Sequence, residues 1–178
     1  MHALIVGEKN IGKSTLIQKI ILQLNCKVCG YLTVKEDNIK DELGRNPIYI
    51  YEYGKSRIQS KNNLIGYSDG RHCISFKEIF DRAASILSCA RTDGDIVVMD
   101  EIGTMEANSD IFCLEVLTCL DGSKPVIAAV KNRHTPYLDQ IRNHPNCKVF
   151  YIDESNRDEL AKEVIEYLYA SSSSISTP

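Results

Sequence analysis

The run Gly7-Glu-Lys-Asn-Ile-Gly12-Lys13-Ser14 sets two glycines, a lysine and a hydroxyl at the spacing G-x-x-x-x-G-K-[ST], that of a phosphate-binding loop. Each residue type has a physical task there. Gly7 lets the chain leave a strand in a conformation that side chains forbid, and Gly12 lets backbone approach an oxygen closely. The N–H groups of Gly7, Glu8, Lys9, Asn10, Ile11, Gly12, Lys13, Ser14 and Thr15 can converge on phosphate, helped by the dipole of a helix opening near Lys13. The Lys13 ammonium reaches the β/γ oxygens, and the Ser14 hydroxyl is a hard ligand for Mg²⁺.

A second constellation lies downstream. Asp95-Ile-Val-Val-Met-Asp100-Glu101 is an apolar strand ending in two carboxylates, the Walker B pattern. Such a strand brings its end to the carboxyl edge of the sheet, where open α/β folds bind ligands. Asp100 is the candidate second ligand of the metal shell, directly or through water. Alternation along the strand points Glu101 to the opposite face from Asp100, where it could polarise an attacking water. Glu106 reads either as a brace for the loop backbone or as a second water-orienting group.

The elements that must position these residues follow from the apolar periodicity. Strand signals alternate with helical ones, the pattern of a mainly parallel sheet with crossover helices. Strands are expected over 3–6, 29–34, 96–99, 125–130 and 148–152. Helices are expected over 14–24, 75–90, 111–120, 136–143 and 157–170, with Ser75 and Glu78 forming a capping box. Residues 35–70, which include the β-forming run Ile48–Tyr53, read as an antiparallel hairpin insert covering the nucleotide side. The fold class is therefore α/β, one P-loop NTPase domain over 1–170 with a mainly parallel sheet flanked by helices. The Ser-rich tail 171–178 is expected to be disordered.

Composition excludes several classes. Of 178 residues, 43% are hydrophobic and 25% charged, with net charge −3, so neither a nucleic-acid nor a membrane partner is indicated. The first apolar run is too short for a signal peptide, which points to the cytoplasm. Seven cysteines include Cys26-Lys-Val-Cys29, but no second C-x-x-C completes a zinc site, so reduced and mostly buried thiols are expected. His2, His72 and His144 lack metal-ligand spacing. Tyr49, Tyr51 and Tyr53 share one strand face and read as sheet packing.

Asp100-Glu-Ile-Gly-Thr-Met-Glu106 resembles the D-E-I-G-x-M-E signature of the small nucleoside-triphosphatase family that includes the cancer-related nucleoside-triphosphatase. Gly30-Tyr-Leu-Thr33, Gln140-Ile-Arg142-Asn143 with Lys148-Val-Phe150, and Glu154-Ser-Asn156-Arg157 with Leu160 resemble further segments of that family, so the likeness spans nearly the whole chain. It implies a RecA-like P-loop sheet and slow, Mg²⁺-dependent hydrolysis of nucleoside 5′-triphosphates, ATP and GTP among them, with little base preference. Three departures stand out. Glu8-Lys9-Asn10 replaces a Pro-Gly-rich stretch, with Asn10 tolerating a left-handed backbone. Thr104 replaces a common lysine, and the segment after Thr33 lacks the usual acidic pair.

Beyond the motifs, Lys131, Arg133 and His134 are candidate extra cations just after a strand end. Asn156 and Arg157 follow the last strand, where P-loop folds flank the base; Arg157 could stack on a purine or pair within its helix. Two other functions fit the same loop. A small-molecule or nucleotide kinase would use Glu36, at the end of the second strand, toward an acceptor. A nucleotide-dependent switch would turn over slowly and change shape between triphosphate and diphosphate forms. The sequence names no protein partner.

Overall fold

The computed structural model describes residues 1–170. The Ser-rich tail lies outside the described residues. Among the described residues, eight strands form one sheet: β1 (His2–Gly7), β2 (Val28–Lys35), β3 (Asn46–Glu52), β4 (Leu64–Ser68), β5 (Cys73–Ser75), β6 (Ile96–Ile102), β7 (Val126–Lys131) and β8 (Cys147–Tyr151). Their order is β5-β4-β3-β2-β6-β7-β1-β8. The strands β2, β6, β7, β1 and β8 pair in parallel, and β3, β4 and β5 add on antiparallel beyond β2.

Burial on both faces explains why the parallel strands are continuous apolar runs. Ala3, Leu4, Ile5 and Val6 are wholly buried, as are Ile96, Val97 and Met99. On one face α2 (Lys77–Asp93), α3 (Asp110–Asp121) and α4 (Pro136–Arg142) cover a core built around Tyr31, Phe80, Leu87 and Phe112. On the other, α1 (Lys13–Ile21) and α5 (Leu160–Ala170) enclose Ile5, Ile17, Ile20, Val98 and Val164. Each such side chain contributes about 1.5–3 kcal/mol on leaving water. The histidine at the chain start is part of this core: His2 accepts from the Val126 N–H through Nδ1, and its Nε2 lies 2.8 Å from the Leu120 carbonyl. Burial holds its imidazole down at about 4, so it is neutral.

Several expectations need correction. Ser75 ends β5 instead of capping a helix; α2 starts at Lys77 with Phe76 at its N-cap and no side-chain cap. The true hydroxyl caps are Ser109, accepting from Phe112, and Thr135, accepting from Leu138. Strands β3 and β4 form a hairpin that extends the sheet beyond β2. A further strand, β5, follows. Gly66 makes that edge possible: its φ is 155°, and a Cβ there would lie 2.0 Å from the Ile74 carbonyl oxygen. All seven cysteines are free, but Cys119 alone is fully buried, and Cys73 and Cys89 are exposed. Among the described residues, no helix is long and apolar enough to cross a membrane.

Candidate active site

Strand β1 ends at Gly7 and α1 begins at Lys13, so the loop between them rises from the carboxyl edge of the parallel strands. The two glycines exchange the tasks expected of them. Gly7 has no left-handed backbone; it is needed because a Cβ would meet Ile152 Cγ2 at 2.6 Å and the Ile152 carbonyl at 2.7 Å. Gly12 is the left-handed residue, with φ 107° and open space where a Cβ would stand. Asn10 takes φ 63°, the conformation that asparagine tolerates best after glycine. Lys9, Ser14 and Thr15 are exposed on the loop and the helix start, while Ile11 anchors the loop on the α1–α5 core. Glu8 accepts a hydrogen bond from Asn132 Nδ2 at 2.8 Å, which ties the loop to the end of β7.

The lysine is not a free surface charge. Lys13 is 5% exposed, and its Nζ donates to the Gly7 and Glu8 carbonyls at 2.9 Å each. The same ammonium lies 3.3 Å from Glu101 Oε2. Next to it, Ser14 Oγ donates to Asp100 Oδ1 at 2.9 Å. Helix start and strand end therefore meet in two adjacent pairs, Ser14 with Asp100 and Lys13 with Glu101.

This arrangement overturns strict alternation at the end of β6. Both carboxylates face the loop, because the pairing of β6 with β7 slips between Asp100 and Ile102. The Glu101 N–H donates to Thr33 Oγ1 at 3.3 Å, which seats the irregular residue against β2. Burial raises the Asp100 carboxyl to about 6, with the Ser14 hydrogen bond opposing the rise. A buried carboxylate touching a serine hydroxyl is a hard-oxygen pair that fits a divalent cation such as Mg²⁺.

Glu106 is held differently. It is 3% exposed, and its Oε1 accepts from the Gly103 N–H across the turn that follows β6. Burial pushes its carboxyl up to about 7. That geometry makes Glu106 a brace for the 103–106 turn.

Of the three candidate cations at and just past the end of β7, one reaches the site. Lys131 Nζ lies 3.5 Å from Glu101 Oε1. His134 instead faces Asp139 at 3.1 Å, and the Arg133 side chain is exposed and has no ion pair with the site carboxylates. Asn156 is committed to its own loop: it accepts from the Asp153 N–H and donates to the Tyr151 carbonyl. Arg157 is exposed, with no hydrogen bond or ion pair among the described residues. Sequence reasoning missed Arg57. It lies in the loop between β3 and β4, and its positive charge favours the ionised form of Asp100. Nothing in that polar, aperiodic stretch marks it.

The chain is similar to known proteins over nearly its whole length. The family model described as NTPase matches residues 2–165. A nucleoside-triphosphatase THEP1 of Thermotoga petrophila is 29% identical over 169 residues, covering 94% of this chain and 93% of the relative. One from Methanosarcina acetivorans is 30% identical over 166 residues, covering 90% and 92%. Among solved structures, the crystal structure of THEP1 from Aquifex aeolicus superposes with a TM-score of 0.70 at 23% identity, covering 94% of this chain and 99% of that one. The solution structure of a human cancer-related nucleoside triphosphatase gives 0.62 at 21% identity, covering 96% and 98%. At those identities the two structures speak for the fold.

Proposed function

Because the chain belongs to the NTPase family, we propose that it hydrolyses nucleoside triphosphates, ATP and GTP among them, to the diphosphate and phosphate with Mg²⁺. The observation that carries this reading is the pair of contacts at one sheet edge, Lys13 with Glu101 and Ser14 with Asp100. The first joins a phosphate-binding cation to a carboxylate able to orient water. The second supplies two oxygen ligands for the metal. Curated relatives that cover nearly the whole chain carry the name nucleoside-triphosphatase.

Phosphoryl transfer to water asks the protein for positioning and charge neutralisation more than for covalent chemistry. The loop amides of residues 7–15 and the Lys13 ammonium bind the phosphates. Ser14 and Asp100 would hold Mg²⁺, which supplies charge neutralisation at the phosphate oxygens when bound. Glu101 accepts a hydrogen bond from the attacking water and fixes its line of approach. Glu106 keeps the 103–106 turn in place through Gly103. The exposed Arg157 is the proposed base contact, and Asn156 shapes the loop that carries it. Seven free cysteines suit a reducing compartment, and the cytoplasm is the proposed location.

The test is phosphate release by the purified chain from ATP and GTP with Mg²⁺, run alone and with candidate acceptor metabolites. Hydrolysis without an acceptor is expected. Transfer that occurs only with an acceptor present would replace this reading by a kinase.

A further inference from the structure

Glu101 is shared by two cations, and one of them comes from outside both sequence motifs. Oε2 faces Lys13 at 3.3 Å, and Oε1 faces Lys131 at 3.5 Å. Lys131 is the last residue of β7 and lies in register with Gly7, the first residue of the phosphate loop. The sheet thus delivers its ammonium to the start of the loop, beside Glu101.

Two features hold it there. A Cβ on Gly103 would come within 3.0–3.2 Å of Lys131 Cδ, Cε and Nζ, so the lysine stem lies across a residue that has no side chain. Behind it, the Lys131 carbonyl accepts from Arg142 Nη1 at 3.0 Å, and Arg142 also donates to the Arg133 carbonyl and pairs with Asp139. The Lys131 side chain is one-third exposed, so its charge faces the open edge and is not spent inside the core.

Glu101 divides its two oxygens between the two ammoniums, so neither cation has the whole carboxylate. The terminal phosphate of a nucleoside triphosphate has more negative charge and more acceptor oxygens than Glu101. It competes for both cations, and each ammonium it takes leaves a Glu101 oxygen for water. Resting on the hydrolytic reading above, we propose that Lys131 is a second phosphate cation, specific for the terminal phosphate, and that its exchange from Glu101 to that phosphate couples substrate recognition to the water-orienting carboxylate.

The experiment compares the full chain with Lys131→Gln and Lys131→Arg. It measures binding of a non-hydrolysable ATP analogue and of ADP by calorimetry, and ATP turnover by phosphate release. A cation on the terminal phosphate predicts that Lys131→Gln weakens the analogue by roughly tenfold or more while ADP affinity holds. It also predicts a fall in kcat, with Lys131→Arg recovering much of both. Equal weakening of analogue and ADP, or an unchanged ratio between them, would overturn the proposal. The binding comparison needs no turnover. Selective loss of the analogue in a protein that releases no phosphate would therefore keep this inference and reject hydrolysis.

Discussion

Ser14 and Asp100 stand 86 residues apart in sequence and meet in the site, the serine hydroxyl donating to Oδ1 at 2.9 Å. Two oxygen donors so placed belong to one metal shell, and each should be needed for tight metal use. Ser14→Ala and Asp100→Asn should each raise the Mg²⁺ concentration for half-maximal turnover by roughly tenfold or more. Magnesium titrations at saturating ATP check this. Turnover that survives chelation of divalent ions would contradict it.

Lys13 differs from a surface lysine in having three partners: the Gly7 and Glu8 carbonyls and Glu101. Lys13→Ala should reduce phosphate release by roughly 10²–10³-fold, the scale of a lost electrostatic stabiliser in a phosphoryl-transfer site. The variant should remain folded by circular dichroism, since the α1 core residues Leu16, Ile17 and Ile20 are untouched. A folded variant with normal turnover would remove the lysine from the reaction.

Gly7 is constrained by space and not by torsion. Gly7→Ala drives a methyl against the Ile152 side chain and carbonyl, and the carbonyl belongs to backbone that cannot swing away. Overpacking of this kind costs about 1–3 kcal/mol. Urea denaturation should show that loss, and an unchanged midpoint would mean that the loop yields freely.

Glu106 ties pH to stability. Its carboxyl sits at about 7 when folded, above the ordinary 4.5, because of burial. Between those values the native protein holds a proton that the unfolded chain releases. The stabilisation is complete below about 4.5 and is lost as pH rises through about 7, with a slope of up to about 1.4 kcal/mol per unit. Glu106→Gln keeps an acceptor for the Gly103 N–H and removes the titration. Stability of the variant should therefore fall less than that of the parent between pH 5 and pH 7. Parallel curves would show that Glu106 ionises normally in the fold.

The parallel strands and both motifs were legible because burial on two faces forces continuous apolar runs, and phosphate chemistry forces fixed spacings. Three things were not legible. The facing of Glu101 depends on a slip in the β6–β7 register, which alternation along the sequence does not disclose. The antiparallel edge hides in short strands such as Cys73-Ile-Ser75, whose side chains are partly exposed and so lose the apolar signal. Choosing Lys131 over Arg133 and His134 needed the register of β7 with β1, a long-range pairing. Asn156 uses its side chain to close its own turn, through the Asp153 N–H and the Tyr151 carbonyl.

In the proposed reaction Glu101 orients the attacking water. Glu101→Gln keeps the shape and the hydrogen-bonding groups and removes the basic carboxylate. Triphosphate should bind at least as tightly, since Lys13 and Lys131 lose a competing partner and keep their places. The direct measurement is the single-turnover rate of ATP cleavage with enzyme in excess, for the parent and for Glu101→Gln. A fall of roughly 10²–10⁴-fold with binding retained is predicted; a rate near that of the parent would contradict the assignment of Glu101.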